Sequence, residues 1–234
     1  MELMRQTLDE GLTGLGLQLD ESTRQKLCDF GAAVVKQNEV MNLTAITEDS
    51  AVAKLHLLDS LTVLCCADLK GKSLIDVGCG AGFPGVPTAI ACPEVKVTLL
   101  DSLAKRVNWL ETVLPQLGVS NARCITARAE EAVGAHRERF DFATSRAVAR
   151  LNILLELTAP YVKVGGAVLA MKGSAAREEL EEAQNAVRRL GLKVEQIRDF
   201  TIDGATHSVI VLRKVHPTPA QFPRRYAKIK QAPL

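Results

Sequence analysis

One stretch limits what this chain can become: Ser73-Leu-Ile-Asp-Val-Gly-Cys-Gly-Ala-Gly-Phe-Pro-Gly85. It begins as an apolar run, Leu74, Ile75 and Val77, and then breaks into Gly78, Gly80, Gly82 and Gly85. An apolar run ending in glycines predicts a buried strand, a tight turn and the start of a helix. Such a turn needs positive φ angles and close approach of a ligand to the backbone, and glycine permits both. The free N–H groups that open the following helix point at the same spot and favour polar or anionic ligand groups there.

Around this stretch the texture alternates. Strands are expected at Ser73–Val77, Val95–Leu100, Ala122–Thr126, Phe140–Thr144, Ala167–Met171, Leu192–Arg198 and Ser208–Arg213. Helices are expected at Val86–Ala91, Leu103–Leu117, Leu151–Tyr161 and Ala175–Leu190. Alternation of this kind predicts an α/β fold, a mostly parallel seven-stranded sheet with helices on both faces. The last two strands are joined through Asp203-Gly204, so one antiparallel edge strand is expected. Residues 1–70 read as an N-terminal helical cap, 71–214 as the ligand-binding domain and 215–234 as a basic C-terminal tail. In the cap, Asp20-Glu-Ser-Thr starts a helix ending near Asn38, and a second helix runs from Glu48. His56 and Asp59, three apart on that second helix, read as a local surface pair.

Composition excludes several classes. No apolar run approaches the ~18 residues of a transmembrane helix. The N-terminus lacks a signal-peptide pattern, so a cytoplasmic protein without a membrane partner is expected. The six cysteines form no C-x-x-C pair and sit at no zinc-like spacing with the four histidines, so no metal is expected. The net charge is only +2, yet Lys214, Arg224, Arg225, Lys228 and Lys230 fall in a segment with no acidic residue. That asymmetry suggests a polyanionic partner, against the plainer reading of a solvated tail.

In an open α/β sheet a ligand binds at the carboxyl ends of the strands. The first strand ends at Asp76 and the glycine turn, and the second at Asp101, 23 residues beyond Gly78. An acidic residue near that spacing accepts from ribose hydroxyls. The third strand leads to Arg128-Ala-Glu130 and the fourth to Ser145-Arg146-Ala147. One nucleoside-containing ligand accounts for all four. The dinucleotide fingerprint G-x-G-x-x-G is broken by Phe83 at its third glycine, so a nicotinamide cofactor and dehydrogenase chemistry are disfavoured. Asp-x-Gly-x-Gly-x-Gly followed by Asp101 favours S-adenosylmethionine.

The segment Leu74–Gly85 strongly resembles that of the bacterial 16S ribosomal RNA guanine-N7 methyltransferase family (RsmG, also called glucose-inhibited division protein B). So do Leu99-Leu-Asp-Ser102 with Lys105-Arg106, and Ser145-Arg-Ala147. Asn42-Leu-Thr-Ala-Ile-Thr47 with His56 and Asp59-Ser60 is similar to the family's N-terminal signature. Met171-Lys-Gly173 and Phe222-Pro-Arg-Arg225 through Pro233-Leu234 match as well. The resemblance covers residue 25 to the C-terminus. It implies a Rossmann-like class I S-adenosylmethionine-dependent methyltransferase acting on N7 of the 530-loop guanine in 16S ribosomal RNA. It implies that Gly78, Gly80, Gly82 and Phe83 line the cofactor site, Phe83 by apolar packing only. Asp101 then holds the ribose, Ala129 and Glu130 meet the adenine, and Arg146 reaches the methionine end, the target guanine, or both. A monomer working on RNA within a small-subunit particle is expected. The alternatives are a methyltransferase for another RNA or a small molecule, and an RNA-binding module without catalysis.

The acceptor chemistry agrees with N7. Cytosine C5 methylation needs a cysteine after the fourth or fifth strand, and the last cysteine is Cys124. Exocyclic amines usually go with an Asn/Asp-Pro-Pro-aromatic motif, where this chain has Ser-Arg-Ala-Val. Guanine N7 carries an in-plane lone pair and needs no base. Lys105, Arg106, Lys172, Arg177, Arg224, Arg225 and Lys228 are the expected phosphate contacts. Phe222 and Tyr226 either stack on unpaired bases or tack the tail to the domain.

Overall fold

The computed structural model describes residues 1–234. The N-terminal part is α1 (Glu2–Leu15), α2 (Glu21–Met41) and a composite helix. In the last, α3 (Asp49–Val52) passes through a π-turn (Ala53–Leu58) into α4 (Asp59–Leu61) and a closing 3-10 turn (Thr62–Cys65). Asp20 caps α2 by accepting from the Thr23 N–H at 2.7 Å. α2 runs to Met41, beyond the expected end, because Asn42 takes a left-handed cap and Asn38 spends its side chain on the Thr44 N–H.

Strands and helices then alternate: β1 (Ser73–Val77), α5 (Gly85–Ala91), β2 (Lys96–Asp101), α6 (Ala104–Gln116), β3 (Ala122–Thr126), α7 (Ala129–His136), β4 (Phe140–Arg146) and α8 (Leu151–Thr158). β5 (Val162–Lys172), α9 (Ala176–Glu182), α10 (Gln184–Arg189), β6 (Leu192–Ile202), β7 (Ala205–Lys214) and α11 (Tyr226–Gln231) complete the chain. The expected single helix at 175–190 is two, divided at Ala183, and α7 and α11 were not anticipated.

The seven strands form one sheet in the order β3-β2-β1-β4-β5-β7-β6. All neighbours are parallel except the two pairs made by β7. The antiparallel strand therefore lies one place in from the edge, with β6 outside it. Asp203 and Gly204, both at positive φ, form the two-residue turn that joins them.

Side chains alternate across the sheet with the period of two that a strand imposes. Leu74, Leu99, Leu169, Val209 and Val211 face one side, and there pack with α1, α2, the composite helix, α5 and α6 in one cluster of 35 buried residues. Ile75, Leu100, Val168, Ala170 and Ile210 face the other, against α7 to α10. The N-terminal helices are thus a layer of the sheet's own core. The C-terminal segment joins the second core through Phe222 and Leu234. The chain order reverses between β1 and β4, which opens a crevice at their carboxyl ends.

Candidate cofactor cleft and active site

The crevice is a cleft of about 440 Å³, within the range of small-molecule sites. The glycine turn forms one wall. Gly80 has φ +56, and a Cβ there would meet only the Gly78 carbonyl oxygen, at 4.0 Å, so the space beside it is open to a ligand. Gly78 and Gly80 line the cleft, but Gly82 does not. A Cβ on Gly82 would strike Val86 at 2.7 Å and Leu110 at 2.9 Å, so this glycine serves close packing of the turn on α5 and α6. Asp76 is fully buried beneath the turn, where its Oδ2 accepts from the Gly85 N–H at 2.8 Å and pins the start of α5. Its Oδ1 has no partner, and burial pushes its pKa up to about 7.

Asp101 closes the adjacent strand end. Its Oδ2 accepts from the Gly80 N–H and its Oδ1 from the Leu103 N–H, both at 2.9 Å. Each oxygen keeps a lone pair for a further donor. Phe83 forms part of the cleft wall and is 5% exposed. It stacks on His56, centroids 4.6 Å apart, and carries the Arg146 guanidinium 5.1 Å above its ring.

Arg146 reaches the cleft from the end of β4, but it is also tied to the N-terminal layer. It donates to the Leu55 carbonyl and to Asp59 Oδ2, each at 2.8 Å, and to His56 Nδ1 at 3.1 Å. Asp59 Oδ1 takes a further bond from His207 Nδ1 on β7 at 2.9 Å. The expected surface pair of His56 and Asp59 is therefore wrong. Both are buried, and each meets Arg146, because the helix turns that face inward against β4 and β7. Adjacent residues in the sequence carry no mark of a partner 87 positions away.

The two histidines of this network titrate in opposite senses. Burial, then the Arg146 charge, lowers His56 to about 4, so it is neutral at pH 7. The Asp59 carboxylate raises His207 above its ordinary value. A raised pKa means that protonation is favoured in the folded state, so the stability it confers is complete below about pH 6.5 and is lost as pH rises through the folded value. His207→Leu is expected to cost about 1 kcal/mol near pH 5.5, discounted for partial exposure, and less near pH 9. Paired urea titrations at the two pH values check this, and an equal cost at both would show that the bond is not charge-dependent.

The other anticipated residues are dispersed. Ala129 and Glu130 begin α7, half-buried and outside the cleft wall. The Ala129 carbonyl accepts from Tyr161 Oη at 2.5 Å, and Glu130 pairs with Arg128 at 2.7 Å. Arg106 lines the cleft and lies 4.0 Å from Asp101, and Lys105 is exposed beside it. Lys172 is a correction. It is enclosed between Glu179 at 2.8 Å and the Ala149 carbonyl at 2.6 Å, holding the loop after β4. Arg224 is another, since it grips the fully buried Glu156 through Nε at 2.8 Å and Nη2 at 2.6 Å. Arg177 is exposed but paired with Asp199 at 2.8 Å. Arg225 and Lys228 are exposed and unpaired. Phe222 is 2% exposed and Tyr226 lies beneath Arg128, so both aromatics tack the tail to the domain. Thr44, His56, Leu103 and Val148 are among the cleft residues to which sequence reasoning gave no site role. Thr44 was visible only as part of a motif without an assigned role.

An open cradle at Gly80, paired lone pairs on Asp101 at the neighbouring strand end and an arginine across the cleft fit S-adenosylmethionine. With this sheet they define a class I S-adenosylmethionine-dependent methyltransferase. A family model described as rRNA small subunit methyltransferase G (GidB) matches residues 23–209. The Ribosomal RNA small subunit methyltransferase G of Alkaliphilus metalliredigens is 41% identical, covering 97% of this chain and 97% of its own length. That of Clostridium beijerinckii is 43% identical, covering 94% of each. M. jannaschii TYW2, solved in complex with AdoMet, shares the fold at TM-score 0.53 and 14% identity, over 64% of this chain and 71% of its own. The chain belongs to the rRNA small subunit methyltransferase G family.

Proposed function

We propose that this enzyme methylates N7 of the 530-loop guanine of 16S ribosomal RNA, within a small-subunit particle, as a cytoplasmic monomer. Bound S-adenosylmethionine supplies the electrophilic methyl group. Asp101 and the Gly78–Gly80 turn hold its nucleoside end, and Arg146 offers donors on the opposite wall. Aligning the acceptor with the methyl group can itself contribute ~7–11 kcal/mol.

The observation that carries the reading is that, with Asp101 given to the ribose, the cleft wall offers no uncommitted base or nucleophile. His56 is neutral, but Arg146 and Thr44 occupy both its nitrogens. Asp59 is committed to Arg146 and His207. Cys79 lines the cleft, yet burial raises its thiol far above the range in which a thiolate forms. An acceptor that already presents a lone pair, as guanine N7 does, suits such a site. No helix is long and apolar enough to cross a membrane.

The test is a map of N7-methylguanine in 16S RNA from cells with and without the gene. An unchanged map would remove the reading. Exposed Arg225 and Lys228, like Lys230, are tail cations free to meet phosphates. Each replacement by Ala is expected to lower the slope of log affinity against log salt by about 0.7, and filter binding over a salt series measures it. Point substitutions serve better than truncation at 215, because Phe222, Ile229 and Leu234 are buried parts of the core.

A further inference from the structure

The hydrogen-bond partners around Arg146 constrain the hydroxyl of Thr44. A guanidinium only donates, so His56 Nδ1 must be the accepting nitrogen of the 3.1 Å bond. His56 is neutral, so Nε2 carries its hydrogen and donates to Thr44 Oγ1 at 2.7 Å. Thr44 Oγ1 also accepts from the Ile46 N–H at 3.0 Å. Both hydroxyl lone pairs are then used, and the Thr44 hydrogen has to be given elsewhere. Thr44 lines the cleft, and no protein acceptor takes that hydrogen.

We infer that Thr44 is a substrate-recognition residue that donates its hydroxyl hydrogen to O6 of the target guanine, with His56 as the positioning residue that confines the hydroxyl to donation. The inference rests on the guanine-N7 reading above. On that edge guanine presents two acceptors, N7 and O6. With N7 turned to the methyl group, O6 is the one that remains. Adenine places an N6 amino donor at the same position, where it meets a hydroxyl that can no longer accept. Thr44 thus selects the base that the chemistry requires, and the loop carrying it is held by the same imidazole that braces Arg146.

The experiment uses the full-length enzyme and 16S RNA ligated to carry either guanine or 2-aminopurine, which is guanine without O6, at the target position. Wild type, Thr44→Val and Thr44→Ser are compared by steady-state methylation. Thr44→Val is expected to lower kcat/KM on guanine roughly 10- to 100-fold, the range for leaving an acceptor unpaired. On 2-aminopurine, wild type and Thr44→Val should agree within about twofold, since the partner is already gone. Thr44→Ser should keep the preference for guanine. Calorimetric affinity for S-adenosylhomocysteine should be the same in all three enzymes. Equal losses on the two bases, or weakened S-adenosylhomocysteine binding by Thr44→Val, would overturn the role and leave Thr44 a structural residue of its loop. A wild type that does not methylate guanine N7 would overturn the functional reading and this inference together.

Discussion

Asp101→Ala is expected to raise the dissociation constant for S-adenosylhomocysteine by at least about 100-fold, to the limit of calorimetric detection. Two effects add. A carboxylate that accepts from both ribose hydroxyls contributes about 1.5–3 kcal/mol per bond. The same two oxygens also hold the Gly80 and Leu103 amides, so truncation loosens the turn and the loop on either side of the ribose. Asp101→Asn retains one accepting oxygen and the side-chain shape, and should fall between. A change of less than threefold for Asp101→Ala would place the ribose elsewhere.

The second large effect concerns stability. Arg224→Ala is expected to destabilise the protein by about 3–5 kcal/mol, because it leaves a carboxylate buried without its counter-charge. Glu156 has no solvent exposure, and Arg224 supplies it with both side-chain bonds and a backbone N–H at 2.8 Å. Denaturant unfolding reads the loss directly. RNA binding reads the alternative, since a phosphate-contacting Arg224 would change the salt slope and leave the midpoint alone. The structure expects the reverse, an earlier midpoint and an unaltered slope. Glu156→Gln, which keeps size and an accepting oxygen, should cost less than removal of the arginine.

The fold was legible where a single period or a local signal decides it. The β1 and β3 bounds match the expected strands, because turn residues bound each closely, Gly71 and Gly78 around one and Gly118 and Ser120-Asn121 before the other. The positions of Asp101 and Gly80 at the cleft were legible too, as one ends β2 and the other lies in the turn that follows β1. What escaped was non-local. His56 and Asp59 sit at a spacing that any exposed helix pair shares, and only the packing of the composite helix against β4 and β7 brings Arg146 and His207 to them. Lys172 and Arg224 look like phosphate ligands by residue type. Their acidic partners, Glu179 and Glu156, lie on helices whose inward faces could not be aligned with them beforehand. Gly82 belongs to the motif by spacing, but its neighbours Val86 and Leu110 make it a contact of the core.

The continuity of the first core has a consequence for turnover. Met4, Phe30, Val52 and Leu57 share one buried cluster with Leu74, Leu99 and Leu169. Swinging the N-terminal helices away as a door would wet that interior at roughly 25 cal/mol for every Å² of apolar surface, besides breaking the Asp59 bonds. An exit for spent cofactor that needs no such motion is the mouth of the cleft. Its frame is Leu103 on one side and Val148 on the other, at 51% and 37% exposure among the few large apolar residues that face solvent. The sill is the loop after β4, which Lys172 fastens at Ala149.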